Sequence, residues 1–385
     1  MKKTFFCILA LLLITLTVRS QDDEKQKAVT LNGYLSSVQS AMFDSLSGTV
    51  IYDNLLHNRL NFKGYIGSYG TLTAEFRNRL FFGDLAGMGK EYAELTGTDP
   101  GWADMSWNLL NENSFFFNTT IDRLSFDFRT GNFEAQIGRQ RINWGQAFLW
   151  NVNDIFNAYS FFDFDYAERP GSDAIRLQYY PSYSSTLELA AKLDHEEDLT
   201  IAGLWRFNKW NYDIQFLAGV VKNNEMVFGS GWSGNIKTVS FRGEASVFVP
   251  AGNNETGKTT AVITAGIDKV LKDNSVYQFQ IMYCNNPLRP EDFNSFYSGN
   301  LSAKDLAFSK FSAFGQFTWA TSPLLNTGIS AMWFPDLKGY YAGPSVDYSL
   351  ASNLDFTFVW QHFNAKISGN STNLNIGFLR LKYSF

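Results

Sequence analysis

The sequence predicts an all-β chain closed into a transmembrane antiparallel β-barrel of about eighteen strands, with sixteen as the alternative count. Three observations lead there. The chain opens on an apolar leader, period-two alternation recurs along the rest of it, and a last alternating strand runs to the final residue.

The leader reads as a secretory signal. Lys2 and Lys3 are followed by an apolar stretch from Phe5 to Val18 and by Val18-Arg19-Ser20, a suitable site for signal peptidase. Such a stretch is shorter than the roughly 20 residues of a spanning helix, which disfavours a membrane anchor. We therefore expect residues 1–20 to be a signal peptide, 21–27 a short polar linker and 28–385 the barrel. Beyond the leader Cys284 is the only cysteine, so no intramolecular disulfide can form. The formal charge of −5 is dispersed, and the absence of a basic block argues against a nucleic-acid partner.

Alternation supplies the strands. Leu72, Ala74, Phe76 and Leu80 oppose Thr73, Glu75, Arg77 and Arg79, and Leu354, Phe356, Phe358 and Trp360 oppose Asp355, Thr357 and Gln361. The strands so read are 28–38, 58–66, 71–82, 115–129, 133–141, 173–180, 185–193, 199–207, 210–221, 226–236, 238–249, 259–270, 275–284, 311–320, 324–334, 340–349, 354–364 and 372–385. Most approach the 9–11 residues of a tilted membrane strand. The long connections 83–114, 142–172 and 285–310 all follow odd-numbered strands, while Gly67–Gly70, Thr130–Asn132 and Thr321–Pro323 follow even ones. An even barrel has this asymmetry, with short periplasmic turns and long extracellular loops. Aromatics near strand ends, such as Trp205, Phe207, Trp319, Trp333 and Tyr340, suit interfacial girdles better than a sandwich core.

The end of the chain adds a second signal. Leu379, Leu381, Tyr383 and Phe385 share one face, and Arg380, Lys382 and Ser384 the other. Tyr383 and Phe385 resemble the C-terminal mark read by barrel-assembly machinery, an expected partner alongside outer-membrane lipid. The expected location is the cell outer membrane.

One stretch points elsewhere. Gly252-Asn253-Asn254-Glu255-Thr256-Gly257-Lys258-Thr259 matches the phosphate-loop pattern G-x-x-x-x-G-K-[ST]. That motif works only if a helix starts at its Lys-Thr, aiming backbone N–H groups at phosphate. Here Thr259, Thr260, Val262, Ile263, Thr264 and Ile267 are β-branched, so a strand is expected and the match reads as a hairpin turn. His57, His195 and His362 lie far apart and form no ligand-spaced motif, so no metal site, cofactor or catalytic residue is expected and the chain is not read as an enzyme.

The richest segment runs from Gly138-Arg139-Gln140-Arg141 through Trp144-Gly145 and Asn151-Val152-Asn153-Asp154-Ile155-Phe156-Asn157 to Arg169-Pro170-Gly171. Over these roughly forty residues the chain resembles outer-membrane porins of the alginate-export-like superfamily and its uncharacterised relatives. That resemblance implies a barrel of this size with loops folded into the lumen, and passage of solutes. The chain lacks the markedly basic composition of alginate exporters. Independently, a connection holding Trp144, Trp150, Phe156, Phe161, Phe162 and Phe164 is too apolar to stand in solvent and should pack inside the barrel or across its mouth. We expect Trp144, Trp150 and Asp154 to pack this loop.

Arg77, Arg79, Arg139, Arg141, Arg169 and Arg176 then become candidates for a pore lining that sets ion preference. The alternative is that each pairs with a carboxylate among Glu75, Asp127, Asp163, Asp165 and Glu168 and holds the loop in place. The expected function is a porin-like channel for passive passage of small polar or anionic solutes of unknown identity, with assembly as a homo-oligomer open to it. The competing reading is a plugged barrel with a structural, adhesion or assembly role.

Overall fold

In the computed structural model, nineteen strands form one antiparallel sheet. They are β1 (Val29–Phe43), β2 (Ile51–Ile66), β3 (Gly70–Gly83), β4 (Ser106–Glu112), β5 (Phe115–Thr130), β6 (Phe133–Gln140), β7 (Ser172–Ser182), β8 (Ser185–Leu193), β9 (Leu199–Lys209) and β10 (Tyr212–Val221). The series continues with β11 (Glu225–Ile236), β12 (Val239–Pro250), β13 (Thr260–Val270), β14 (Val276–Cys284), β15 (Phe311–Ser322), β16 (Leu325–Phe334), β17 (Gly339–Ala351), β18 (Leu354–Ile367) and β19 (Asn370–Ser384). The structure describes residues 28–45, 48–159, 161–162, 168–251, 257–288, 302–367 and 369–385; the expected signal peptide and linker lie outside them.

The sheet closes on itself where β1 pairs with β19, Leu35 opposite Tyr383 and Phe43 opposite Asn375. The terminal Phe385 exchanges two 2.9 Å backbone hydrogen bonds with Gly33, so the chain end is itself part of the seam. Eighteen strands make the ring, as the alternation predicts, because β4 lies outside it and β3 pairs directly with β5. Closure leaves no sheet edge, which is what lets a β-structure cross lipid.

Alternation sorts the faces. Leu379, Leu381 and Tyr383 are exposed on the outer surface, as are Leu72, Ile137, Ile175, Leu189, Phe216, Ile263, Phe279 and Ile329 around the wall. An apolar belt this continuous far exceeds the few hundred Å² that soluble monomers leave uncovered, so hydrocarbon is its solvent and the barrel is membrane-embedded. No helix among the described residues is long and apolar enough to cross a membrane; the strands do it.

The parity also holds: the connections after β3, β6 and β14 gather at one end, the loop end, and turns of two to five residues close the other. Two details differ from the sequence reading. β9 continues through Lys209, and its turn is Trp210-Asn211, both at positive φ (57° and 61°) as a type I′ hairpin requires. β1 and β2 run on at the loop end to Phe43 and back to Ile51, beyond the segments in which alternation was recognised.

Two features inside long connections escaped the sequence. Helix α1 (Lys90–Gly97) buries Ala93 against Phe81 and Phe116 over the loop end of β1, β2, β3 and β5. β4 pairs with β5 from Phe115 to Thr120, the part of β5 that β6 fails to reach. β6 stops at Gln140 because its chain turns into the lumen, and β4 satisfies the edge of β5 left bare. No helix follows the apparent phosphate loop: Gly257–Thr259 lead into β13, a strand, while residues 252–256, where the hairpin turn was expected, lie outside the described set.

Candidate channel interior

After Gln140 the chain enters the barrel and crosses its inner wall. Ile142, Trp144, Ile155 and Phe156 pack on Ala174, Ala190, Ala202, Leu204, Leu217 and Phe248, the inner face from β7 to β12. The alanines of β7, β8 and β9 leave the space that a fully buried Trp144 fills. Farther on, Leu149, Trp150 and Phe162 pack on Val262, Met282, Phe314, Met332 and Phe363, reaching β18.

Polar side chains on alternate strands pin this segment. Glu188 of β8 accepts the Trp144 indole N–H. Gln215 of β10 donates to the Trp144 carbonyl at 2.7 Å. Glu244 of β12, wholly buried, accepts the backbone N–H groups of Gln146, Ala147 (2.7 Å) and Asn153 (2.8 Å). Gln280 of β14 accepts the N–H of Leu149 at 2.9 Å. A backbone buried away from water must find partners, and the inner wall supplies them.

The opposite wall is ionic. A β-bulge in β5 opposite Glu75 and Phe76 turns both Asp122 and Arg123 inward, where alternation would allow one. Asp122 pairs with the buried Arg59, which also holds Glu75, and lies 3.7 Å from Arg77. Arg123 donates to the carbonyls of Asp122 (2.7 Å) and Arg169 (2.6 Å), fastening the end of the inward segment. None of Arg59, Asp122, Arg123 or Glu244 is among the sequence-derived site residues. The bulge hides two of them, and Glu244 looks like any inward polar residue until its loop is in place.

The six arginines separate. Arg79 donates to Asn118 at 2.8 Å and to the Thr96 carbonyl of α1. Arg139 is buried between Asp99 (2.6 Å) and Asp173 (2.7 Å) and also donates to the Ala103 carbonyl. Arg176 makes a two-pronged pair with Glu188 at 2.7 and 2.9 Å. Arg169 stacks on Tyr159, its guanidinium carbon 3.1 Å from the ring centre. Arg77 faces Asp122. The carboxylates in these pairs are Asp99, Asp122, Asp173 and Glu188 rather than those the sequence proposed; Asp163 and Asp165 lie outside the described residues. Of the six, Arg141 alone lines the charged cavity at the turn end of the lumen.

That cavity, about 550 Å³, opens at the turn end between the wall of β2, β3, β5 and β6 and the underside of the inward segment. Its charged lining is Lys63, Arg123, Arg129 and Arg141 against Glu75, Asp127 and Glu134, with Thr71, Thr73, Ser125, Gln136 and Tyr65 between them. Four positive groups face three negative ones, so the walls carry strong local fields and little net charge.

Asp154 sits behind Arg141, fully buried, with Arg141 no closer than 4.0 Å. Burial pushes its carboxyl up to about 7, Arg141 and Arg169 pull it down without offsetting that, and Glu244 adds to the rise. The stability this group confers is therefore full below its unfolded value of 3.8 and is lost as pH rises through about 7. Wild type should melt at a higher temperature at pH 5 than at pH 8 in detergent, by more than Asp154→Asn does. An equal pH response in both would remove Asp154 from this role.

Tyr383 and Phe385 point outward, both exposed, at the turn end of the seam.

No protein-family model and no curated protein sequence matches the chain. Among solved structures it is similar to OprD, an outer membrane protein of Pseudomonas aeruginosa, at 9% identity and TM-score 0.58, over 93% of each chain. Pseudomonas aeruginosa OccK5 (OpdH) gives 9% identity and TM-score 0.60, with 92% of this chain and 98% of that one covered. Acinetobacter baumannii OccAB4 gives 10% and 0.59, with 94% and 100% covered. Likeness at this identity fixes the fold. That fold is a closed antiparallel barrel, and these neighbours are OprD and Occ proteins rather than alginate exporters.

Proposed function

We propose that this chain is an outer-membrane channel for passive passage of small polar or anionic solutes, without turnover chemistry or cofactor. The observation that carries the reading is the charge-lined cavity held open between the ionic wall and a segment pinned to the opposite side. Barrels of 16–18 strands in general leave an aqueous interior, and the named neighbours share this architecture. Near-balance of lining charges argues for modest selectivity, set by Arg141 more than by the buried arginines. On this reading the long connections face outward from the cell, and the exposed pair Tyr383 and Phe385 lies at the periplasmic rim, where assembly machinery would read it.

A plugged scaffold is the competing reading, favoured by how completely the inward segment is packed from β7 to β18. Purified protein in a planar bilayer separates the two. Stepwise ohmic conductance is the expected result, and electrical silence from barrels that migrate as folded species would overturn the channel.

A further inference from the structure

The loop rim is mostly acidic or neutralised. Asp44 and Asp84 stand beside β1 to β3, Lys222 is paired with Asp194 and Glu196, and Lys304 with Glu225. One sector differs. Lys310, Lys338 and Lys366 are all exposed at the loop ends of β15, β17 and β18, and none has an ion pair among the described residues. Tyr340 stands opposite Asn364, a register that brings Lys338 level with Lys366 on the neighbouring strand. Like charges facing each other across strands are unfavourable unless an anion intervenes. Lys310 lies one strand over, its backbone N–H donating to Asp336 at 2.8 Å; Asp336 is the single acidic neighbour within this turn.

Directly below, on the outer surface, Phe311, Trp333 and Tyr340 are exposed, with Trp333 opposite Tyr340 in the ladder. The Tyr340 hydroxyl and His362 Nε2 are 3.2 Å apart, which orients the tyrosine. An outward aromatic band marks the level of the headgroups, so the lysines above it reach the phosphate plane of the leaflet. We propose that this sector binds a phosphorylated lipid head group of the outer leaflet, its acyl chains along Phe311, Trp333 and Tyr340 and its phosphate among Lys310, Lys338 and Lys366. Only the membrane-embedded barrel is required for this; an open lumen is not.

Native mass spectrometry of the full barrel in detergent tests it. The probes are a bis-phosphorylated glucosamine lipid, its dephosphorylated counterpart and phosphatidylcholine. Wild type should retain the phosphorylated lipid, and K310Q/K338Q/K366Q should retain on the order of a hundredfold less, about fivefold per lysine. Retention of the dephosphorylated lipid should not change, and K310R/K338R/K366R should restore the phosphorylated one. K222Q, at a rim lysine that already has partners, serves as the control. The proposal is overturned by equal retention in the triple glutamine variant, by equal loss in K222Q, or by a wild type that does not distinguish the two glucosamine lipids. Heat-modifiable migration confirms that each variant is folded, and K338Q/K366Q replaces the triple variant if the latter is not.

Discussion

Glu244→Ala should raise single-channel conductance and its noise more than any other single substitution in the lumen. Glu244 is wholly buried and receives N–H groups from Gln146, Ala147 and Asn153, three points along one segment. Leaving three buried donors unsatisfied costs about 1–3 kcal/mol each, on the order of the whole docking energy of a short loop. The apolar contacts of Trp144 and Trp150 oppose release, so an equilibrium between docked and undocked segments is expected, seen as flicker between a wild-type level and one at least roughly twofold higher, since the segment lies along the inner wall from β7 to β18, about two thirds of the ring. Glu244→Gln is the informative companion. It keeps one acceptor oxygen but turns an NH2 toward at least one former donor, so its effect should be intermediate. Wild-type conductance and noise in Glu244→Ala would show that packing alone holds the segment, and Glu244 would lose its assigned role.

Prediction from sequence worked where one rule governs many residues. Period two fixed the ring because each of eighteen strands must present lipid on one side and water on the other, and the parity of loop lengths followed from the chain crossing back each time. It failed where a single residue breaks the rule. The bulge that turns both Asp122 and Arg123 inward shows in the sequence only as a change of phase, outward apolar residues passing from odd positions up to Ile121 to even ones from Leu124, and reading β5 as one alternating run passes over it. β4 went unseen because Trp107, Leu109 and Leu110 are exposed on a strand that fills a gap in the wall, and the gap exists only because β6 ends early. The inward path of 141–162 was legible in its aromatics, whereas its anchors were not. Glu188, Gln215, Glu244 and Gln280 acquire meaning only when alternate strands bring them to one level.

The arginines give the second large effect, and it divides two neighbours in sequence. Arg139→Ala should destabilise the barrel and barely touch ion preference, and Arg141→Ala should do the reverse. Arg139 closes a buried cluster with Asp99 and Asp173 and reaches the carbonyls of Ala103 and Ile121. The chain is built tightly around it: a Cβ on Gly101 would stand 2.1 Å from Arg139 Nη2 and 2.6 Å from Asp173 Oδ2, so alanine there would have to displace the pair. Removing one partner of a buried ionic cluster strands the others, at about 3–5 kcal/mol. The expected signs are a lower transition temperature in heat-modifiable migration and loosening of 99–105 to proteolysis. Arg141 is partly exposed to the cavity, and its carboxylate partner Asp154 is 4.0 Å away. An ion passing roughly 4 Å from such a charge in water feels about 1 kcal/mol, favourable for an anion and unfavourable for a cation, so the anion-to-cation permeability ratio should fall by up to about thirtyfold in Arg141→Ala at low salt, and less as salt screens it. Reversal potentials under a salt gradient measure this. If Arg139→Ala shifts them and Arg141→Ala does not, ions travel past Asp99 and Asp173 instead of through the turn-end cavity, and Arg141 does not line the conduction path.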